Sequence, residues 1–405
     1  MPRSLVLLTT LLPLLTPPSL AQEVTTLTSP VGTDDLFGQA SALDGDHLLV
    51  GAPWGRSWAL DGRAHLFRFS GDAAPEHVAT LDAPGAGRPD RFGWSLALDG
   101  GLAVVGAPAE GRRRGAVYVF ESPSGDPEDL ALAQRLVPPT PRVGWFGFSV
   151  ALDAPGDRLA VGAPRTRFPW GGTVYVYDRE APGTPWTLEQ VIDEGFTAAN
   201  WAPNFGWAVE LEDDLLAVSS YYAAGFSGEG GFVHLYDRGA GSGSWELGQR
   251  LRSETHFQGR DFSRRLFLEG GRLFLDDDGI VLFTSPTGRA RDFAPEVRLS
   301  DEPTRDFAAT RDSVVSLMLD DSGRWLRGRR EGPHGWEETF ALPVPQGGDG
   351  VLHVGVGAER WFLGRLPFLT SRGRLELGPF PALRADASAP PPSSGRVEER
   401  RPGAF

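Results

Sequence analysis

The chain of 405 residues contains no cysteine, and it contains no lysine, so all of its non-histidine cations are arginines. The lack of cysteine excludes disulfide bonds and thiol chemistry. A protein of this length without disulfides must be stabilised by its own hydrophobic core. Long apolar runs are also missing after the first residues, so we expect no transmembrane segment.

Positive charge is in deficit too, since the formal net charge is −14. This balance argues against nucleic acids and anionic membranes as partners, since both require a basic surface. Catalytic signatures are equally absent. There is no Gly-x-Ser-x-Gly elbow and no His-Glu-x-x-His motif, and the seven histidines are scattered singly. The sequence therefore favours a protein that is not an enzyme and has no cofactor.

The first 21 residues have the pattern of a secretory signal peptide. Arg3 supplies the positive start, residues 5–15 form the apolar run, and Ser19 and Ala21 are the small residues before the cleavage site. We therefore expect a secreted, periplasmic or cell-envelope protein. Residues 385–405 are rich in Pro, Ser, Arg and Glu, which predicts a disordered tail. The folded domain is predicted to span residues 22–384.

A repeated phrase dominates the chain between these ends. Its members share a Phe-Gly pair, which in the first three is followed by Val-Gly-Ala-Pro and in the fourth by Ala-Val-Ser-Ser, and the phenylalanines stand at 37, 92, 146 and 205. The spacing of 54 to 59 residues is typical of a β-propeller or another β-array. Each unit is predicted to contain four strands, with an Asp/Gly hairpin turn after the first strand and a proline ending the second.

The third strand of a unit is apolar on both faces. Val117 and Val119 lie on one face, and Tyr118 and Phe120 lie on the other. Apolar side chains on both faces are typical of strands that are buried on both sides, as in a blade packed between two neighbouring blades. His65 and His234 occupy the position of Tyr118 in their units. We expect them to be packed, hydrogen-bonded blade residues rather than metal ligands.

The phrase decays after residue 255 while the spacing of the strands persists. Phe262 and Phe307 open a fifth and a sixth unit, and residues 351–377 form a seventh that lacks its fourth strand. Residues 23–27 are interpreted as a fourth strand, because they precede Phe37 in the way that fourth strands precede the other Phe-Gly pairs. The predicted fold is therefore an all-β, seven-bladed β-propeller of four-stranded antiparallel blades, with the N-terminal strand joining the last blade beside residues 374–377. Such closure removes open sheet edges.

The motif resembles the FG-GAP repeat of the integrin alpha-subunit β-propeller, which also occurs in exported bacterial proteins. The resemblance implies a seven-bladed propeller used for adhesion or protein recognition. Calcium-binding repeats of that family carry an Asp-x-Asp-x-Asp-Gly loop, whereas the turns in this chain, such as Asp44-Gly45-Asp46, are too short to surround Ca²⁺. The chain is thus similar to the calcium-free variety, with no metal or cofactor. The acidic stretch 276–279 is interpreted as a solvated turn, with a bound cation as the alternative.

One face of the predicted propeller collects arginines and aromatic residues. In an up-and-down blade, the loop that follows the second strand emerges on one face. The loop that leads to the first strand of the following blade emerges on the same face. Trp, Tyr and Arg dominate binding hot spots, and Arg offers a planar fork to carboxylates. The candidate binding residues are Trp54, Trp58, Arg112, Arg113, Arg114, Trp145, Phe168, Trp170, Trp201, Tyr221 and Tyr222. Alternatively, several of these aromatic residues plug the mouth of the propeller or pack on the next blade.

Three functions are compatible with these observations. The first is a secreted, non-catalytic recognition, adhesion or scaffold module that binds a protein or glycan at the cell envelope or outside the cell. The second is a propeller hydrolase or lyase that acts on an extracellular polymer through carboxylates at the axis. The third is a structural component of the envelope. The oligomeric state is left open by the sequence.

Overall fold

The computed structural model describes the parts of the chain that form the blades. The described residues are 25–31, 36–54, 62–71, 73–84, 90–140, 143–153, 156–166, 171–193, 204–220, 231–239, 243–252, 262–277, 279–300, 304–320, 323–344, 349–356, 360–367 and 374–379. The signal peptide and the C-terminal tail lie outside these residues and remain predictions. Across the described ranges, no helix has the length and apolarity needed to cross a membrane.

Within the described ranges, seven four-stranded antiparallel sheets form the blades, and the strands of each blade run in order from the axis outward. Blade 1 contains β2 (Ser41–Asp44), β3 (His47–Ala52), β4 (Arg63–Arg68) and β5 (Glu76–Leu81). Blade 2 contains β6 (Ser95–Asp99), β7 (Leu102–Ala107), β8 (Ala116–Glu121) and β9 (Ala131–Leu136). Blade 3 contains β11 (Ser149–Leu152), β12 (Arg158–Ala163), β14 (Thr173–Asp178) and β15 (Thr187–Ile192). Blade 4 contains β16 (Phe205–Glu212), β17 (Leu215–Ser220), β18 (Phe232–Arg238) and β19 (Trp245–Arg252).

The remaining blades come from the degenerate part of the sequence. Blade 5 contains β20 (Leu266–Glu269), β21 (Arg272–Asp276), β22 (Ile280–Thr284) and β23 (Ala294–Ser300). Blade 6 contains β24 (Thr304–Thr310), β25 (Ser313–Asp320), β26 (Gly323–Gly332) and β27 (Gly335–Val344). Blade 7 contains β28 (Asp349–Val356), β29 (Arg360–Pro367), β30 (Arg374–Pro379) and β1 (Thr25–Thr28). Outside the blades lie the short pair β10 (Val143–Gly144) and β13 (Arg165–Thr166), one helical turn, α1 (Glu110–Arg113), and a 3₁₀ turn (Pro127–Asp129).

The inner strands make the ring. Contacts run from β2 to β6, β11, β16, β20, β24 and β28 in succession, and β28 contacts β2 again. A six-bladed ring would require one of the seven sheets to lie outside this circuit. The sheet that is least regular in sequence, blade 7, touches blade 6 through β24 and blade 1 through β2, so it lies within the ring. The architecture is therefore an all-β propeller of four-stranded antiparallel blades, seven in number by its sheet topology.

The two ends of the described chain close the ring together. Thr25 pairs with Leu377 and Thr28 pairs with Arg374 in an antiparallel ladder. The predicted pairing of the N-terminal strand with residues 374–377 is thus confirmed, with β1 shifted by one to two residues toward the C terminus. The pairing covers an edge of β30 that would otherwise be open to association with another chain.

The Phe-Gly pair forms the centre of a four-residue turn that leads into each of the first four inner strands, and in blade 4 this turn overlaps the start of β16. In blade 2 the amide of Trp94 donates to the carbonyl of Arg91 at 3.2 Å, and Gly93 has φ 89°. A positive φ at the third position is the mark of a type II turn, which favours glycine there. Equivalent hydrogen bonds close the turns at 36–39, 145–148 and 204–207.

A second glycine allows adjacent blades to approach closely. A Cβ atom added to Gly106, in the Gly-Ala-Pro strand of blade 2, would lie 2.1 Å from the carbonyl oxygen of Gly147 in the turn of blade 3. The same contact is made by Gly51 with Gly93 and by Gly162 with Gly206. Each Gly-Ala-Pro strand therefore supports the Phe-Gly turn of the following blade.

Buried aromatic pairs fill the space beneath these turns. Phe92 packs edge-on against Tyr118 with ring centroids 5.3 Å apart, and Phe205 packs in the same way against His234 at 5.1 Å. His65 and His234 are buried and bonded, to Thr80 at 3.0 Å and to Ser220 at 2.8 Å. The prediction that these histidines are packed blade residues is confirmed.

Carboxylates at the ends of the inner strands fasten neighbouring blades on the opposite side of the ring. Asp44 accepts a hydrogen bond from the amide of Gly100 in the next hairpin turn at 2.7 Å. Glu212 bonds the amide of Gly271 at 3.1 Å, and Glu269 bonds the amide of Arg311 at 2.7 Å. The Asp/Gly turns thus serve as anchoring points between blades.

The acidic stretch in blade 5 differs from the expectation of a solvated turn. Asp276 and Asp277 are only 5% and 4% exposed. Asp276 accepts a hydrogen bond from the amide of Arg265 at 3.0 Å, and Asp277 pairs with Arg298 at 3.2 Å. The expectation was wrong for these two residues because their carboxylates have partners inside the protein, which compensate for burial.

Replacing Gly106 by Ala tests the close approach between blades. The added methyl would collide with the Gly147 carbonyl, so we expect the free energy of unfolding in urea to fall by about 2–3 kcal/mol. Gly45→Ala is the control, because Gly45 has open space around it and a positive φ of 55°. It should cost only about 1 kcal/mol of backbone strain. An equal loss in both variants would contradict the steric interpretation.

Candidate functional site

The structure describes five of the eleven candidate binding residues, namely Trp54, Arg112, Arg113, Arg114 and Trp145. Trp58, Phe168, Trp170, Trp201, Tyr221 and Tyr222 lie outside the described residues. The loops that carry the described five emerge on one face of the ring, as strand parity predicts. The amide of Trp145 donates to the carbonyl of Arg113 at 2.9 Å, which joins the loop before blade 3 to the loop after β7 of blade 2.

Arg91 links blades 1 and 2 on this face. Its guanidinium carbon lies 4.5 Å from the ring centroid of Trp54 and 5.2 Å from that of Trp94. Such geometry allows cation–π attraction to both rings. Arg91 and Trp94 are the first and last residues of the Phe-Gly turn, so the turn itself presents both side chains.

A second cluster extends the surface to blades 3 and 4. Trp145 stacks on Phe148 with centroids 5.4 Å apart and ring planes 13° apart, and Arg165 lies 4.1 Å above Trp145. The ring centroid of Phe148 also lies 5.5 Å from that of Trp94 and 4.6 Å from that of Trp207. A continuous line of aromatic rings and guanidinium groups therefore crosses four blades. We call it the aromatic track; it comprises Trp54, Arg91, Trp94, Trp145, Phe148, Arg165 and Trp207.

Sequence reasoning found Trp54 and Trp145 but missed the other members of the track. The available signal was the residue after each Phe-Gly pair, which is aromatic in the second, third and fourth units: Trp94, Phe148 and Trp207. These rings lie half-buried or buried against one another. The alternative expectation, that aromatic residues of this face pack on the next blade, therefore holds for part of the track.

The backbone holds several track residues in the left-handed region. Arg91 and Trp145 have φ of 59° and 63°, and Arg112 and Arg113 in the adjoining helical turn have φ of 63° and 70°. Non-glycine residues seldom adopt this conformation, and they often do so where a side chain must be presented in a fixed direction. Leu36 and Asn204, which precede the other two Phe-Gly pairs, have φ of 53° and 55°, so at Arg91 and Trp145 this conformation belongs to the repeated turn.

The arginines on this face have no acidic partner among the residues that the structure describes. Among the described residues, Arg91, Arg112, Arg113, Arg114 and Arg165 form no ion pair. Burial, with the charge of Arg113 nearby, lowers the pKa of Arg91 from its usual value. Elsewhere arginines are commonly paired, as Arg68 is with Glu128, Arg179 with Glu121 and Arg272 with Glu331. The track is a locally cationic surface on a protein whose formal charge is −14.

The axis of the propeller contains a cavity of about 470 Å³. All seven inner strands contribute to its wall. In each of the first five units, the cavity is lined by the residue five positions after the phenylalanine. These residues are Ala42, Ala97, Ala151, Glu210 and Phe267, and Ala308 and Val354 complete the circuit of lining residues around the axis. Asp99 and Glu269 line the end that faces the Asp/Gly turns. The described aromatic residues of the other face therefore do not fill the centre of the ring.

Glu210 is the polar member of an otherwise apolar circuit. Its half-buried side chain faces the cavity, and it forms no hydrogen bond with any residue that the structure describes. Burial raises the pKa of Glu210 to about 8, although the nearby charge of Arg265 acts in the opposite direction. Arg265 is itself paired with Asp306 at 2.8 Å. A carboxyl group that is protonated near neutral pH thus borders the axial cavity.

Among the described residues, one group has metal-ligating atoms close together. Single ligand atoms of His47, Asp126 and Glu128 lie within 4.8 Å of one another on the face opposite the track. However, Arg68 already pairs with Glu128, and Nδ1 of His47 lies 2.8 Å from Asp46. The guanidinium supplies the positive charge that a cation would bring, so these contacts favour an ion-pair cluster.

The architecture and its repeated turns identify the protein as a β-propeller with FG-GAP-type units. The sequence of residues 76–120, which spans the Phe-Gly turn and most of the Gly-Ala-Pro hairpin of blade 2, matches the FG-GAP repeat model. This match covers one unit and leaves a specific likeness to integrin alpha subunits undecided. No curated protein sequence matches the chain.

Solved structures share the fold at low sequence identity. A chain of a mitotic checkpoint complex aligns over 93% of this chain and 98% of its own, with a TM-score of 0.54 and 12% identity. A protein from Lactobacillus plantarum aligns over 76% of this chain and 86% of its own, with a TM-score of 0.52 and 15% identity. A Bacteroides uniformis protein, named provisionally as a 6-phosphogluconolactonase, aligns over 76% and 85%, with a TM-score of 0.50 and 12% identity. These likenesses show the fold alone.

Replacing Glu210 by Gln tests the protonation state of the cavity wall. Between about pH 4.5 and 8 the folded protein retains a proton on Glu210 that the unfolded chain releases. The free energy of unfolding should therefore fall as pH rises through this window, by up to about 1.4 kcal/mol per pH unit from this group. Urea titrations at several pH values should show Glu210→Gln gaining stability relative to wild type as pH rises. A difference that is independent of pH would contradict the assignment.

Proposed function

We propose that this protein is a secreted, non-catalytic recognition or adhesion module whose aromatic track binds a protein or glycan. One observation carries the proposal: Arg91 lies between Trp54 and Trp94 at the start of a line of rings that crosses four blades. Large rings and guanidinium groups bury much area at low entropic cost and also provide polar contacts. A purely structural envelope component would have no need for this accumulation on one face.

The charges of the track favour a ligand that carries carboxylate or sulfate groups. The arginines on this face form no ion pair within the described part of the chain, and Arg165 is exposed. Guanidinium groups recognise such anions through paired hydrogen bonds. The half-buried rings of Trp54 and Trp145 add apolar surface beside these donors. Acidic glycans and acidic segments of proteins both offer this combination of an apolar surface with negative charge.

Binding experiments with the secreted form can test the role of the track. The protein would be immobilised and offered uronic-acid and sulfated polysaccharides, neutral polysaccharides, and proteins of the envelope and culture fractions. We expect an acidic ligand to be retained, with affinity that falls as salt concentration rises. Trp54→Ala and Arg165→Ala should each weaken retention by at least about fivefold, which corresponds to about 1 kcal/mol.

A matched control separates the track from general surface charge. Arg291 is exposed and lies 3.9 Å from Glu246 on blade 4, away from the track. Arg291→Ala removes the same charge as Arg165→Ala and should leave retention unchanged. Equal losses in the two arginine variants would attribute binding to net charge, and unchanged retention in both track variants would refute the proposal.

A second candidate function is a hydrolase or lyase that acts through the axis. The observation in its favour is Glu210, whose raised pKa suits a general acid at neutral pH. Asp99 and Glu269 border the same cavity. If the cavity is catalytic, the protein should cleave one of the polysaccharides offered above, and Glu210→Gln should abolish the cleavage. Cleavage that is unaffected by Glu210→Gln, or no cleavage of any polymer, would count against this function.

A further inference from the structure

We propose that the axial cavity is a second binding site, which takes one small organic cation with an apolar body, such as an alkylammonium ion, with Glu210 as its counter-ion. The site is separate from the aromatic track and uses none of its residues. It is therefore independent of the proposed recognition function.

The size and lining of the cavity suit such a ligand. Its volume of about 470 Å³ lies within the range that small-molecule sites occupy. Three alanines, Ala42, Ala97 and Ala151, leave the wall smooth in blades 1 to 3. A small number of polar groups placed among apolar residues orients a small molecule in such sites.

Glu210 is placed to receive a positive charge. It occupies the position at which the first three blades have alanine, and no described residue is hydrogen-bonded to its side chain. A carboxylate that is removed from water without a partner is energetically unfavourable. A bound ammonium group would supply the missing partner and would compensate for this cost.

The other groups around the cavity also favour a cation. Phe267 lines the wall on the neighbouring inner strand, β20, at the position equivalent to Glu210. An aromatic ring there can attract an ammonium or quaternary ammonium group. The other charged residues of the lining, Asp99 and Glu269, are acidic. No Arg or His is part of the described lining, and the positive charge of nearby Arg265 is compensated by Asp306.

Charge distribution distinguishes this site from the aromatic track. Asp99 and Glu269 lie at the end of the axis that faces the Asp/Gly turns, whereas the track lies on the opposite face, where the Phe-Gly turns lie. One face therefore presents unpaired arginines, and the axis presents carboxylates toward the other. An anionic ligand of the track and a cationic ligand of the cavity would not compete.

Binding should be linked to proton release. The charged groups around Glu210 are Arg265 from the start of blade 5, which lowers its pKa, Asp306 paired with Arg265, and Asp99 and Glu269 along the cavity. Below about pH 8 the free carboxyl of Glu210 is protonated, so that an arriving cation must displace a proton. Affinity should rise by up to tenfold per pH unit between pH 6 and 8, and it should level off above pH 8.

Calorimetry with n-butylammonium chloride tests the site directly. We expect saturable binding of one equivalent, with release of up to one proton at pH 6–7 as measured in buffers of different ionisation enthalpy. Glu210→Gln should weaken binding at least about tenfold and abolish proton release. Glu246→Gln is the matched control, because Glu246 is an exposed carboxylate on the outer strand β19; it should bind like the wild type.

A neutral probe distinguishes the cation from its apolar body. 1-Butanol has the same four-carbon chain without the charge, and we expect it to bind at least about tenfold more weakly than n-butylammonium. Equal binding of the two probes, no loss in Glu210→Gln, or no binding of the cation at millimolar concentration would overturn the proposal. Loss of retention in Trp54→Ala would leave this site unaffected, so the two proposals fail separately. Normal urea unfolding of Glu210→Gln would show that any loss of binding is not due to misfolding.

Discussion

The contact on which the ring depends is the one between a glycine and the carbonyl of the next blade. Gly51, Gly106 and Gly162 lie so close to the following Phe-Gly turns that a methyl group would collide with a backbone oxygen. The contact brings the buried phenylalanines against the third strands of their blades, where they pack edge-on with aromatic partners. Because a blade is apolar on both faces, it cannot be stable alone, and this approach allows each blade to cover its neighbour.

The same turn explains why the surface above it is specialised. Phe and Gly occupy the two central positions of the turn, so the residues before and after them are fixed in direction at the rim of the ring. In blades 2 and 3 these residues are Arg91 with Trp94 and Trp145 with Phe148. A structural requirement of the scaffold thereby becomes a means of presenting side chains, and neighbouring turns are close enough for their rings to touch.

Much of the fold could be predicted from sequence because the repeat is a backbone requirement. The Gly-Ala-Pro and Phe-Gly glycines mark the close contact, and the spacing of strands persists where those glycines are lost. The closure of the ring was also predictable, since residues 25–28 have the place of a fourth strand without a blade of their own. The burial of Asp276 and Asp277 could not be predicted from the sequence, because tertiary contacts bring Arg265 and Arg298 to them as partners. Glu210 was missed for the same reason, as only the ring geometry brings the five equivalent positions to one cavity. For the aromatic track, the sequence predicted the face of the propeller on which it lies. It did not single out the residues that flank each Phe-Gly pair.

The pairing of β1 with β30 also decides how the molecule can be displayed. β1 leads into the first Phe-Gly turn, so its Thr28 end lies on the side of the aromatic track and its Thr25 end lies on the opposite side. Thr25 is paired with Leu377, and the chain therefore enters at Thr25 and leaves after Pro379 on the side away from the track. Any anchor or fusion joined at either point would hold the propeller from behind, with the arginine-rich face directed outward.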